Sequence, residues 1–384
     1  MVMELDKAVI ARMAGQALGD PSIEIAEWSV SPIGGGTAQA LGISEGVSRI
    51  DGAASSRGHH LPWSVILKVI RRAPDHDDPA VWDYWQREAL AYRSGMLGDL
   101  PPGIDAPRCF GVTDIDEDRI ALWLEYVPEA GPARWPLDRY GIAARHIGRF
   151  NGAYLAGRPL PALPWLSRGR VRQWLAAGEA AILDLEALAR GSLGSKWLTD
   201  EDVARIQQLW RDRGPLLDGL DGLPRCLCHH DGFRRNLIAA ESPDGLARTI
   251  AIDWVGVGTG AVGEDLAAMM AFSLQYLEVD VADVAELDRI AFDGYVQGLR
   301  DAGASIDVEA VRYGYAAAAC LLLGVGGTGG WLAWLLADDD RPRLTEGIIG
   351  HPIDEILAQW RGLQPYLLDL GDEAQRLVSA PGGG

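Results

Sequence analysis

His229-His230-Asp231-Gly232-Phe233-Arg234-Arg235-Asn236 is followed, after a short predicted hairpin, by Ile252-Asp253-Trp254. The hairpin is read from NLIAA (236–240) and RTIAIDW (248–254), joined by the turn-forming run SPDG. Asp231 therefore falls on a loop, Asn236 at the start of one strand and Asp253 at the end of the next. An aspartate on a loop can orient and deprotonate a hydroxyl. An asparagine shortly after it and a second aspartate across the hairpin can converge on magnesium, a hard ion that prefers oxygen ligands. These are the needs of phosphoryl transfer, and H-x-D-x4-N with a hairpin and an apolar-Asp-aromatic ending is a specific combination. A metal hydrolase built on His229, His230 and Asp231 would need further histidines at ligand spacing, whereas His59, His60, His76, His146 and His351 are scattered.

Upstream, the first third of the chain is strand-rich. IEIAEWSVSPI (23–33), ALGISEGVSRI (40–50) and SVILKVI (64–70) carry β-branched residues between turn formers. DGAASSRGHHLP (51–62) reads as a polar, mobile hairpin tip. Asp77-Asp78-Pro79 is a capping signal that predicts a helix through AVWDYWQREALAYRSG (80–95). Two more strands are expected at 107–116 and 119–127. From Pro128 onward the apolar spacing turns helical, as in Ile147, Phe150 and Tyr154. The expectation is an α+β chain of two lobes. An N-lobe over 1–127 holds a five-stranded antiparallel sheet and one helix, and a mostly helical C-lobe covers 128–384, with the linker near 125–130.

Lysine is scarce, occurring only as Lys7, Lys68 and Lys196. Lys68 lies within SVILKVI, where an unpaired ammonium would be costly to bury. A lone strand lysine more often snorkels, but Glu88 falls on the face of the predicted helix shared with Val81, Tyr84, Trp85 and Tyr92. A carboxylate in an aromatic stripe needs a cation, and Lys68 is the candidate. The turn after the first strand, Gly34-Gly35-Gly36-Thr37, suits backbone approach to phosphate, although any hairpin can use glycines simply to turn. No GxxxxGK[ST] motif is present, and Gly324, Gly326 and Gly329 match GxGxxG without a strand leading into them.

Composition narrows the classes. The 384 residues carry 54 acidic and 35 basic side chains, a formal net charge of −19, which repels nucleic acid and suits a cationic substrate, although solubility alone is the commoner reason for such an excess. Cys109, Cys226, Cys228 and Cys320 form no CxxC pair, so a reducing cytoplasm is the expected home. The N-terminus has no apolar run of a secretory signal. Residues 313–337 are uncharged, but Gly324–Gly330 would break a membrane-spanning helix; a buried helix, Tyr315 to Leu323, then a glycine loop is expected, with no membrane association.

With Gly34–Thr37, Lys68, Glu88, LWLEYVPEA (122–130), His229, Asp231, Asn236, Asp253 and Asp265 in place, the chain resembles the aminoglycoside phosphotransferase family, small-molecule kinases of the protein-kinase-like fold. The resemblance spans most of the chain. It implies ATP and Mg2+ as cofactors. Lys68 would bind the α- and β-phosphates under the glycine turn and be oriented by Glu88. Backbone groups of Glu125 and Val127 would hold adenine. Asp231 would be the base, and Asn236 and Asp253 the metal ligands. His229 would be structural, and Asp265 would cap a helix or tether the loop. The acceptor would be a hydroxyl of an aminoglycoside, sugar or amino alcohol, and the protein a monomer or homodimer. A protein substrate is disfavoured, because only twelve positions separate Asp253 from Asp265. The alternative is an inactive kinase-like nucleotide-binding protein. Two departures stand out. His230 occupies the place of a usual glycine, and Phe233-Arg234-Arg235-Asn236 replaces a His-Pro-Gly-Asn style ending. Arg234 or Arg235 would meet the transferring phosphate or else face solvent.

Overall fold

The alternation in SVILKVI places Val65 and Leu67 in the core, with Val69 packed against it, and leaves Lys68 on the other face of its strand. A computed structural model describes residues 6–33, 44–242 and 244–379. Gly34, Gly35, Gly36 and Thr37 lie outside the described residues. The chain divides into two compact units, one of Met1–Asp78, Asp83–Leu100 and Ala106–Pro128, the other of Pro79–Trp82, Pro101–Asp105 and Glu129–Gly384.

The first unit holds helix α1 (Lys7–Leu18), strands β1 (Glu24–Pro32), β2 (Ser44–Ser56) and β3 (His59–Arg71), helix α2 (Arg87–Arg93), and strands β5 (Cys109–Asp116) and β6 (Arg119–Glu125). The sheet has five strands in the order β1-β2-β3-β6-β5, all antiparallel. Ile10 and Met13 of α1 join Ile50, Trp63, Val65 and Trp123 in its core.

Three expectations change here. The tip at 51–62 is strand almost throughout, turning only at Arg57 and Gly58, whose φ values of 50° and 80° give a tight turn. Helix α1 is additional to the one helix expected; Asp6 accepts from Ala8 N at its start and Gly19 closes its end at φ 68°. The helix expected over 80–95 shortens to α2. Asp77 does not cap it, because its carboxylate accepts the Trp85 indole N–H (2.6 Å) and pairs with Arg72. Trp85 N meanwhile donates to His76 O, so the chain before Gln86 turns rather than coils.

The second unit contains the edge strand β4 (Ile104–Asp105), α3 (Leu137–Leu155), β7 (Ser167–Arg168), α4 (Arg170–Leu183), shorter helices as far as Gly222, and β8 (Arg225–Cys228). It continues with β9 (Leu237–Glu241), β10 (Ala247–Ala251), β11 (Gly258–Ala261), α5 (Glu264–Gln275), α6 (Val284–Asp301), α7 (Val308–Leu336) and α8 (Ile353–Ser379). Two small sheets, β4-β10-β9 and β7-β11-β8, frame the loop that carries Asp231. Helices α3 and α6 cross so closely that a Cβ on Gly148 would strike Tyr295 O and one on Gly298 would strike Arg145 O.

The expected glycine loop after Leu323 is instead helix. Residues Cys320–Gly327 widen into a π-helical turn inside α7. Leu323 O accepts the Thr328 backbone N–H in this wider register, and Gly324 O accepts from Gln364 Nε2 at 2.8 Å. Helix α7 is long and apolar enough to cross a membrane, yet 72% of its most apolar window is buried within the fold.

Candidate active site

In the first unit, Lys68 Nζ lies 2.6 Å from Glu88 Oε2, with the two side chains 12% and 3% exposed. Glu88 stands in the first turn of α2, so the pair joins that helix to β3. Two charges this buried are tolerable only because each meets the other. At the end of β6, Glu125 N donates to Arg108 O at 2.8 Å, so this N–H is already committed. Val127 is half-buried.

In the second unit, the segment after β8 is held by one carboxylate. Asp265, in the first turn of α5, accepts from His229 N (3.1 Å), His230 N (2.7 Å) and Asn151 Nδ2 (2.9 Å). Asn151 is itself fixed by Leu227 O and the Tyr295 hydroxyl. Asp265 therefore tethers the loop.

His229 orients the next residues. Its Nδ1 accepts from Asp231 N (3.2 Å) and its Nε2–H donates to Ile252 O (3.0 Å), which selects one neutral tautomer. Burial lowers its pKa to about 4, and its ring lies 4.5 Å from that of Trp254. One imidazole thus links the residue of Asp231 to the residue before Asp253.

Asp231 is partly open, its side chain 23% exposed. Asn236 Nδ2 donates to its Oδ2 (2.8 Å) and to its backbone O (2.9 Å), which turns the amide nitrogen inward and leaves the amide oxygen for other work. Asn236 O accepts from Ile252 N at 2.9 Å, bringing the hairpin's far strand alongside. Asp253 follows at φ 62°, ψ 65°, a left-handed conformation that aspartate tolerates better than most residues. Among the described residues, no three His, Cys, Asp or Glu side chains gather as a metal cluster. The Asp253 carboxylate and the Asn236 amide oxygen are nevertheless hard oxygen donors of the kind Mg2+ accepts while keeping several waters. The donor set fits the ion.

His230 also takes a left-handed conformation, at φ 65°, where glycine would cost nothing. Its ring is 1% exposed, with Nε2 3.2 Å from Glu264 Oε2 and Nδ1 3.0 Å from Gly256 O. Burial opposes its charge, but Cys228 and Glu264 more than offset this and raise its pKa to about 10. Burial would raise the Glu264 carboxyl, yet His230 and the Ala261 N–H hold it below the ordinary range. A buried ion pair thus holds a backbone shape that glycine adopts freely.

Among solved structures, the amicoumacin kinase hAmiN in complex with AMP-PNP, Ca2+ and Ami matches with a TM-score of 0.50, covering 91% of this chain and 94% of that one at 14% identity. The chain has the protein-kinase-like fold. An aminoglycoside phosphotransferase from Alicyclobacillus acidocaldarius subsp. acidocaldarius matches more weakly (TM-score 0.46, 13% identity, 85% and 90% covered). So does an ethanolamine kinase from Plasmodium vivax (0.44, 12%, 92% and 82%). No family model and no curated protein matches the chain.

Within this kinase-like fold both loop arginines have protein partners. Arg234 donates to Ala133 O (2.7 Å), pairs with Glu129 and stacks 4.4 Å from Trp135. Arg235 pairs with Glu278 (2.6 Å) and donates to Ile348 O and Ile349 O. Both knit the loop to its surroundings. The arginine beside Asp231 is Arg170, with Nη2 3.9 Å from Asp231 Oδ1. Neither it nor Asn151 carries a local motif, since each acts across a long stretch of chain. Glu264 could have been singled out as a carboxylate next to Asp265. Of the acidic side chains in 280–288 and 338–340, Glu286 pairs with Arg289, Asp288 with Arg312 and Asp338 with Arg341. Glu278, Asp280 and Asp283 line a cleft of about 430 Å³ with Trp135.

Proposed function

We propose that the chain is an ATP-dependent phosphotransferase that moves the γ-phosphoryl group of MgATP to a hydroxyl of a small molecule. The carrying observation is the Asp231–Asn236 contact, with Asn236 bonded through its backbone to the residue preceding Asp253. The amicoumacin kinase of the same fold is in complex with AMP-PNP and Ca2+, which supports a nucleotide with a divalent ion here.

Asp231 takes the proton of the acceptor hydroxyl as its oxygen attacks the γ-phosphorus. It is partly exposed, and Asn236 fixes its carboxylate. His229 does not compete for that proton, because both ring nitrogens are engaged. Asn236 Oδ1 and the Asp253 carboxylate would hold Mg2+, which when bound neutralises charge on the phosphates. Lys68, oriented by Glu88, supplies a compact positive charge to phosphate oxygens, and backbone groups of Glu125 and Val127 hold adenine. Between Asp253 and α5 the chain has room only for a single turn and β11, without a docking segment for a protein substrate.

The test is acceptor-stimulated ADP release across alcohols, sugars and antibiotics. Asp231→Asn should lower it about 10²- to 10⁴-fold, the size of a lost general base, while MgATP still raises the melting temperature. Lys68→Ala and Asp253→Asn should lose that thermal shift. Undiminished turnover in Asp231→Asn would remove Asp231 from the chemistry and leave a nucleotide-binding protein.

A further inference from the structure

Asp231 sits beside a cation with no room to swing away. Arg170, the first residue of α4, is 2% exposed. Three rings surround its guanidinium: Trp82 at 4.6 Å, Trp174 at 5.5 Å and Phe272 at 5.9 Å. Trp82 is fixed in turn, its backbone N–H donating to Gln173 Oε1 of α4 at 2.7 Å. Gly256 keeps the space open, because a Cβ there would lie 3.0 Å from Arg170 Nη1 and 3.1 Å from His229 O. A charge buried this way is weakly screened, so its field reaches the open side of Asp231.

Four carboxylates around the loop, Asp265, Glu264, Glu278 and Glu129, are already matched. Asp265 receives three N–H groups. Glu264 faces His230, Glu278 faces Arg235, and Glu129 accepts from Trp135 and Ala239 while pairing with Arg234. Asp253 is given to the metal. An ammonium group arriving at Asp231 would find a base whose charge Arg170 offsets. The partly open rings near the pair are Trp82 and Trp174, both half-buried, while Phe233, two residues past Asp231, is buried against Phe272 at 5.8 Å and Tyr276 at 5.1 Å. Indole faces favour flat apolar groups.

We propose, resting on the phosphotransferase reading above, that Arg170 selects the acceptor. The subsite beside Asp231 takes an uncharged hydroxyl compound with a flat apolar face and rejects ammonium-bearing acceptors. The excess of acid over base in the chain thus does not describe this site.

The experiment uses the full chain, with calorimetric binding and ADP release measured separately. Phenyl β-D-glucoside is the neutral probe, and ethanolamine and kanamycin are the cationic ones. Phenyl β-D-glucoside should bind and be turned over with the higher kcat/KM. Arg170→Met keeps an apolar stem among the rings and removes the charge. It should raise kcat/KM for the amines roughly tenfold or more, the size expected of one unit charge several ångströms away at an effective dielectric near 20. A misfolded variant cannot produce that gain. Trp174→Ala should raise KM for phenyl β-D-glucoside while altering methyl β-D-glucoside less, a second test independent of how Arg170→Met folds. A wild-type preference for the amines, absence of phenyl glucoside binding, or amine rates that fall in Arg170→Met would each overturn the proposal. Binding that depends on Trp174 without ADP release would support the subsite and refute the phosphotransferase reading. Asp231-dependent release with amines preferred would do the reverse.

Discussion

His146 and His229 are buried imidazoles that stay neutral for different local reasons. Burial, reinforced by Arg139, Arg149 and Arg145, lowers His146 to about 4, and its Nδ1 meets Thr249 Oγ1 at 2.9 Å. Burial likewise lowers His229 to about 4 against the nearby Asp265 and Asp253. As pH falls below about 6.5 the unfolded chain takes up a proton at each site, while the folded chain does not until about 4. Stability should therefore fall across that window, by about 3 kcal/mol in total between pH 6.5 and 5. His230 has the opposite sign: its pKa is raised to about 10, so its contribution is complete below about 6.5 and is lost only as pH rises through 10. Urea unfolding from pH 7.5 to 5 measures the loss, and His146→Gln should roughly halve the slope. A flat profile would mean that one or both rings are protonated in the fold.

At the scale of elements, the crossing of α3 and α6 decides how well the loop is held, because α3 carries Asn151 and α6 carries Tyr295, the partners that brace Asp265. Gly298→Ala would press a methyl group against Arg145 O, a backbone atom that cannot turn aside. We expect a loss of about 1–3 kcal/mol, typical of overpacking, together with weaker acceptor turnover at unchanged KM for ATP. Gly347→Ala, in the helix Arg341–Ile349 where a Cβ meets open space, should instead stabilise by up to about 1 kcal/mol through helix propensity, and a loss there equal to that of Gly298→Ala would show that the crossing is not the cause. The same contrast explains which elements were legible in the sequence. The strands declare themselves by alternation, and Lys68 and Glu88 by being charges in apolar company. The loop from His229 to Asn236 is legible because its chemistry lies within one short run. Helix α2 was overextended because Asp77, a natural cap, is claimed by the Trp85 indole and Arg72. The glycines of α7 look like a loop locally and serve instead to admit neighbouring helices, as where Gly326 meets Gly178. Arg170 left no trace, because its meaning depends on Trp82, Trp174 and Asp231 arriving from separate segments.

For the molecule as a whole, two electrostatic effects of opposite sign compete. Arginines are spread over many surface pairs, such as Arg172 with Asp218 and Asp221, or Arg145 and Arg149 with Asp301. Salt weakens such pairs, but exposed ones contribute only about 0–1 kcal/mol each. Against them stands the formal charge of −19, an excess of carboxylates whose mutual repulsion is larger in the compact state than in the expanded one. Repulsion summed over the surface acts at longer range than any pair, and screening lengths of about 10 Å at 0.1 M salt remove it first. Raising NaCl from 20 to 200 mM should therefore raise the melting temperature, by about 2 °C or more. Scanning calorimetry at pH 7.5, where the two buried histidines are neutral, isolates the effect from the acid transition. A melting temperature that falls with salt would mean that the arginine pairs outweigh the net charge, and their removal, beginning with Arg172→Gln, would then be the dominant route to destabilisation.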